Sequence, residues 1–302
     1  MTAHPAPLGK MVVIGVGLIG GSFALAMKRA GAVTTVVGIG RGRTNLDTAL
    51  KLNIVDRAMT LDEAWGPELA DADLVMLSIP VGQMPGVFTA IARHLGSATV
   101  VTDAGSTKQD VVAAARAHLG EALPRFVPGH PIAGTEHSGA AAAFESLFRD
   151  KNVLLTPVAE TAAAAVEQVT ACWERCGARV GHLDPLRHDA LFAAVSHLPH
   201  ALAFALVAEL AGRADADDYF RYAASGFRDF TRLAASDPEM WRDICLANRE
   251  AVRRELASYR AKLDRIDALL ATGDGTELNA LFTVARDARG AWVAAHRGSH
   301  EA

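Results

Sequence analysis

Over roughly its first 185 residues the chain alternates short apolar runs with longer stretches in which apolar positions recur every three or four residues. KMVVIGV from Lys10, TTVVGI from Thr34, ADLVMLSI from Ala72 and SATVVTDA from Ser97 are largely apolar without strict alternation, as strands covered on both faces are. RFVPG, NVLLTP and ARVGHL are further strand candidates. The segments between carry helical periodicity, and strands alternating with helices predict an α/β Rossmann-type doubly wound parallel sheet. After LDPLRHD at 183–189 the strand pattern stops, and helical periodicity runs on to the C-terminus. The chain is therefore read as two domains, 1–186 built on the sheet and 187–302 all-α.

The most apolar helical segment, ALFAAVSHLPHALAFALVAEL from Ala190, is interrupted by Ser196, His197, Pro199 and His200. Placing those residues in lipid is costly, so the segment reads as a core helix and no membrane partner is expected. The second half carries more apolar helix surface than a small domain covers, which predicts a homodimer through it. With 30 basic and 34 acidic residues interspersed, the net charge of -4 gives no field that gathers nucleic acid. A small-molecule partner is favoured. MTAHPAPLGK has no basic region followed by a long apolar one, so a cytoplasmic setting is expected. Cys172 and Cys176 share a helix face in poor geometry for a disulfide and read as buried thiols.

VVIGVGLIGGSFA sets Gly15, Gly17 and Gly20 in the G-x-G-x-x-G spacing after a strand and at the start of a helix, with Leu18 and Ile19 inside the motif. Gly15 permits the tight turn, Gly17 lets the backbone approach a pyrophosphate, and Gly20 lets helix and strand pack closely. The positive end of the helix then faces the phosphates. A dinucleotide site is expected here. Ser78, Ile79 and Pro80, in the turn SIPVG after another strand, fall on the same carboxyl edge and are expected to line it. The second strand of an NAD site usually ends in an acid that holds the ribose diol, but here Gly40 stands there and Arg41 and Arg43 follow. Two arginines suit a 2′-phosphate, so NADP is the expected cofactor and NAD the alternative. Solvated loop arginines are the plainer reading of the pair.

The segment VPGHPIAGTEHSGA at 127–140 fits neither helix nor strand, yet it follows a strand candidate and so reaches the same rim. An alcohol that gives up hydride also loses its hydroxyl proton, and an imidazole suits that step, which makes His130 a candidate acid/base. Upstream, DAGSTK puts Asp103, Ser106 and Lys108 on the rim, with Asp103 and Ser106 expected at the cofactor and Ser106 within reach of His130 or the substrate hydroxyl. No thiol or carboxylate stands at a spacing that would complete a metal site with His130, His197 and His200, so no metal is expected.

GVGLIGGS, DAGSTK, GHPIAGTEHSGA, SHLPHALAFAL and GFRDFTRLAASDPEMWRDI together resemble the prephenate and arogenate (cyclohexadienyl) dehydrogenases of tyrosine biosynthesis. The resemblance spans both domains. It implies a Rossmann-type domain followed by a helical dimerisation domain, and an oxidative decarboxylation with hydride transfer to NAD(P)+. It implies that His130 is the catalytic histidine at the substrate hydroxyl and that Ser106 supports it. Arg232 matches the arginine that holds a substrate carboxylate, with Asp229 placed to orient it, and His200, Thr135, Glu136 and Trp241 match other pocket positions. His197 is read as a core or capping histidine, and His137 and His188 as surface residues.

A β-hydroxyacid dehydrogenase shares this layout but uses a lysine early in its second domain. Beyond residue 150 the chain has only Lys151 and Lys262, neither in that place. A non-catalytic dinucleotide-sensing module would not need His130, Ser106 and Arg232 to converge, and turnover separates it from an enzyme. Prephenate and arogenate differ by a keto or amino group on the side chain, and both stay open at this point.

Overall fold

The protein is described by a computed structural model over residues 6–135 and 137–295. Six parallel strands, β1 (Leu8–Ile14), β2 (Val33–Gly40), β3 (Arg57–Thr60), β4 (Leu74–Leu77), β5 (Val100–Asp103) and β6 (Phe126–Val127), form one sheet in the order β3-β2-β1-β4-β5-β6. The strand order reverses between β1 and β4, where the carboxyl ends of an open sheet leave a crevice for ligands. The connecting helices are α1 (Leu18–Arg29), α2 (Arg43–Lys51), α3 (Gly66–Ala70), α4 (Met84–Ala92), α5 (Gln109–His118) and α6 (Ala163–Arg175). Alternate residues of β1 serve two cores: Met11 and Val13 pack with Phe23 and Trp173, Val12 and Ile14 with Phe88 and Phe126. Burial on both faces is what makes the strand an unbroken apolar run. Edge strand β3 was not expected, because Arg57 and Thr60 give RAMT no such run.

A second sheet carries β7 (Gly129–Pro131), β8 (Asn152–Leu155) and β9 (Arg179–His182) in that order. β7 is antiparallel to β8, and β8 parallel to β9. The start of the segment read as neither helix nor strand is therefore a strand. Glycine and proline disguise it, and proline is tolerated because β7 lies at the sheet edge.

Helices α7 (Pro185–Phe192) and α8 (Leu198–Ala211) are joined by a π-helical turn over Ala193–His197, followed by α9 (Ala216–Tyr222), α10 (Ser225–Thr231) and α11 (Pro238–Ala247). By length and composition the stretch Pro185–Ala211, which contains an 18-residue window of mean hydropathy 1.7, is long and apolar enough to cross a membrane. The segment read as a core helix is partly buried. Only Leu198 and Ala203 of α8 are buried, while His188, Asp189 and His197 are buried along the same stretch. Packing divides the chain into two compact units, the first ending at Arg249 and the second beginning at Glu250. The second consists of α12 (Arg249–Thr272) from Glu250 onward and α13 (Gly275–Ala295), with Arg265 and Glu277 paired at 3.4 Å.

Candidate active site

The chain leaves β1 through Gly15, whose φ of +95° favours glycine. A Cβ on Gly15 would collide with the Ser78 carbonyl, and one on Gly20 with the Gly15 carbonyl, whereas one on Gly17 would meet no described atom within 4 Å. The first and third glycines thus serve internal packing, and the second leaves open surface. Among the described residues no side chain caps α1 and no acid stands in its first turn. The N–H groups at its start, Leu18 and Ile19 among them, are left for a ligand, and the arrangement fits a pyrophosphate. The turn Ser78–Pro80 closes against the glycines: Ser78 N–H donates to Ile14 O at 2.8 Å, and the Ile79 side chain lies beside Gly15.

His130 sits in β7, opposite Leu154 of β8. The preceding Gly129 is gripped twice. Its N–H donates to Asp103 Oδ1 at 3.0 Å, and its carbonyl accepts from Lys108 Nζ at 2.7 Å. Asp103 and Lys108 form a fully buried ion pair 2.5 Å long at the end of β5. Asp103, expected at the cofactor, thus has its carboxylate committed to Lys108, Gly105 and Gly129 as a brace for the strand that carries His130. A buried charge with these partners is not available to a ligand. Ser106 lies half-buried in the turn between the two ends of this brace.

His130 Nδ1 lies 2.9 Å from His188 Nε2, and His188 Nδ1 lies 2.8 Å from Asp189 Oδ1. His188 is fully buried rather than on the surface. Asp184 caps α7, and His188 and Phe192, one helical turn apart, stack on the inner face with ring centroids 4.5 Å apart. Burial pushes the His130 pKa well below that of free imidazole, and electrostatic coupling to His188, Lys108 and His197 adds to the effect. Burial opposes the charge on Asp189, but hydrogen bonds from His188 and from the Gln109 and Lys108 backbone outweigh it and hold the carboxyl below its ordinary range.

Farther along, His197 is buried and its pKa is lowered to about 4, chiefly by burial. Its Nδ1 lies 3.2 Å from Asn248 Nδ2, which also donates to the Asp189 carbonyl at 2.8 Å. The His197 ring is 6.1 Å from that of Trp241, and His200 stacks on the same indole. Burial lowers the His200 pKa, and the charge of Arg232 lowers it further. His130, His188, Asp189, Asn248, His197, Trp241 and His200 thus form one connected group, with the charge of Arg232 acting on His200 at its end. Arg232 is exposed in a 3-10 turn, and Asp229 pairs with Arg228 at 3.6 Å instead of orienting it. The α-helix ends at Thr231, so helical three-residue spacing does not carry over to Arg232. Thr135 is exposed, its hydroxyl accepting from His137 N–H at 3.2 Å, and Glu136 lies outside the described residues.

The prephenate dehydrogenase nucleotide-binding domain matches residues 23–182, and the prephenate dehydrogenase dimerization domain matches residues 184–284. The chain belongs to the prephenate dehydrogenase family. It is 36% identical over 281 residues to the cyclohexadienyl dehydrogenase of Zymomonas mobilis, covering 92% of this chain and 94% of that one. With the prephenate dehydrogenase of Bacillus subtilis the identity is 34%, over 92% of this chain and 75% of the relative. The structure of Aquifex aeolicus prephenate dehydrogenase in complex with hydroxyphenyl propionate and NAD+ superposes with a TM-score of 0.87 at 36% identity, over 93% and 97% of the two chains. Synechocystis arogenate dehydrogenase gives 0.78 at 29%, over 94% and 100%. As a member of this family the chain is a nicotinamide-dependent oxidoreductase that performs an oxidative decarboxylation in tyrosine biosynthesis.

Within this family member, the two arginines expected at the cofactor, Arg41 just after β2 and Arg43 at the start of α2, are both exposed. Arg43 is engaged by Asp47 at 3.0 Å and Glu63 at 3.4 Å. Asn45, which the motifs did not single out, joins the two halves of the site: its amide donates to Val16 O at 2.7 Å and its Oδ1 accepts from Ala140 N–H at 2.8 Å. His188, Asp189 and Asn248 were missed as well. A signal for His188 was present in its four-residue spacing from Phe192, while Asn248 gave none.

Proposed function

We propose that the chain oxidises and decarboxylates prephenate, with His130 as the base, Ser106 assisting it, and Arg232 holding a substrate carboxylate. His200, Trp241 and Thr135 are proposed to complete the pocket. The observation that carries this reading is His130 in β7, next to Gly129, which Asp103 and Lys108 grip at the end of β5, and backed by His188 and Asp189. The glycine segment 15–20 with Ser78, Ile79 and Pro80 would hold the dinucleotide, which when bound supplies the hydride acceptor. The hydroxyl-bearing ring carbon gives up hydride while His130 takes the hydroxyl proton. The resulting ketone is conjugated to the carbon bearing the ring carboxylate, so carbon dioxide leaves as the ring becomes aromatic. The phenolate oxygen then takes the proton back from His130. A guanidinium suits the anchoring role, because it binds a carboxylate bidentately and fixes one pose.

NADP is proposed to serve at least as well as NAD, since β2 ends in Gly40 with no acid and Arg41 stands exposed beside it. Residues 1–186 are proposed as the dinucleotide-binding part and 187–302 as the part that binds substrate and pairs with a second copy in a cytoplasmic homodimer. The dimerization-domain match and the exposure of Tyr222, Phe230, Phe282 and Trp292 support the pairing. Steady-state assays with prephenate and arogenate, each with NAD+ and NADP+, test the reading. Carbon dioxide release equal to dinucleotide reduction with prephenate is the expected result, and turnover with neither substrate would refute it.

A further inference from the structure

A neutral imidazole carries its proton on one nitrogen, and the bonds behind His130 decide which one. Asp189 Oδ1 accepts from the Lys108 N–H at 2.8 Å, and its Oδ2 accepts from the Gln109 N–H at 2.9 Å and the Gln109 side-chain amide at 3.2 Å. The carboxylate therefore sits on the first turn of α5, where no side chain of that helix provides a cap. An ionised carboxylate has no proton to give, so His188 Nδ1 supplies the hydrogen of the 2.8 Å bond. Neutral His188 then offers a lone pair at Nε2, and the 2.9 Å contact there is filled by an N–H on His130 Nδ1. The free lone pair of His130 is left at Nε2.

We propose that His188 and Asp189 are positioning residues that hold His130 in the tautomer able to accept the substrate hydroxyl proton, and that spread the charge it then carries. The proposal rests on His130 being the base. The hydrogen-bonded row is built to stay in register. Phe192 packs against both imidazoles, at 4.8 Å from His130 and 4.5 Å from His188. Lys108 holds both ends, its Nζ on the Gly129 carbonyl before His130 and its backbone N–H on Asp189. A residue that merely capped α5 would not need the two imidazoles in line between the cap and the rim.

Two measurements test the proposal. Nitrogen-15 NMR of the histidines in the wild-type protein reads the tautomer directly: His130 is expected protonated at Nδ1, and protonation at Nε2 would overturn the proposal. Kinetics then use His188→Phe, which keeps a ring against Phe192 but removes the acceptor, and His188→Gln, which keeps an acceptor. His188→Phe is expected to lower kcat at least about tenfold while KM and cofactor affinity stay within about twofold, and His188→Gln to recover part of the loss. In a His130→Asn background, His188→Phe is expected to have no further effect. An equal loss in both backgrounds, or an unchanged kcat, overturns the positioning role. Full activity of His130→Asn by itself would instead refute the base assignment, and the proposal with it.

Discussion

Asp229 reaches Arg228 at 3.6 Å, and among the described residues it makes no pair with Arg232. The charge of Arg232 is felt instead by His200, which lies flat on Trp241 with ring centroids 3.4 Å apart. Among the described residues the guanidinium makes no ion pair, which leaves it for a ligand carboxylate at one end of the histidine group. Arg232→Ala is expected to raise the Michaelis constant for prephenate at least about tenfold, since losing one partner of a carboxylate pair is costly. Asp229→Asn is expected to change it less than about threefold, the range of an exposed ion pair. Steady-state kinetics on both variants check this, and equal effects would show that the two residues act as a unit.

The two arginines proposed for the cofactor's ribose are not equivalent. Arg43 is shared between Asp47 and Glu63, whereas Arg41 is exposed beside Gly40. Arg41→Ala is expected to lower kcat/KM for NADP+ by about tenfold and that for NAD+ much less, the difference being one charge-assisted contact to phosphate. Arg43→Ala should have the smaller effect of the two. Equal losses with both dinucleotides would place the 2′-phosphate contact elsewhere.

Burial lowers the pKa of His130, His188, His197 and His200 below that of free imidazole. Below about pH 6.5 the unfolded chain therefore binds more protons than the folded one. The stability these neutral rings contribute is present above that pH and is lost as pH falls toward the folded values. For His197, a pKa lowered from 6.5 to about 4 corresponds to about 3 kcal/mol lost by the time pH is below 4. Urea midpoints are expected to drop across this window, and to drop less in His197→Gln. A midpoint independent of pH between about 6.5 and 4 would contradict the buried, neutral state of these rings.

What could be read from the sequence follows what is local. β1, β2, β4 and β5 announce themselves because burial on both faces makes them apolar throughout, and the glycine turn because its demands fall within six residues. β7 stayed hidden because Gly129–Pro131 becomes a strand only by pairing with residues 153–155. Asp103 looked like a ligand because its partners, Lys108 Nζ and the Gly129 N–H, meet only after folding. His188 was misplaced for want of its partner, His130, 58 residues away, although its spacing from Phe192 already put it on the inner face of α7.

The central claim, that His130 is the base of an oxidative decarboxylation, is tested most directly by His130→Asn, with turnover and dinucleotide binding measured on the same preparation. Turnover is expected to fall by about two orders of magnitude or more, the scale of a removed acid/base, while the dissociation constant of the dinucleotide stays within about twofold of wild type. Turnover at the wild-type rate, with the dinucleotide bound normally, would contradict the assignment.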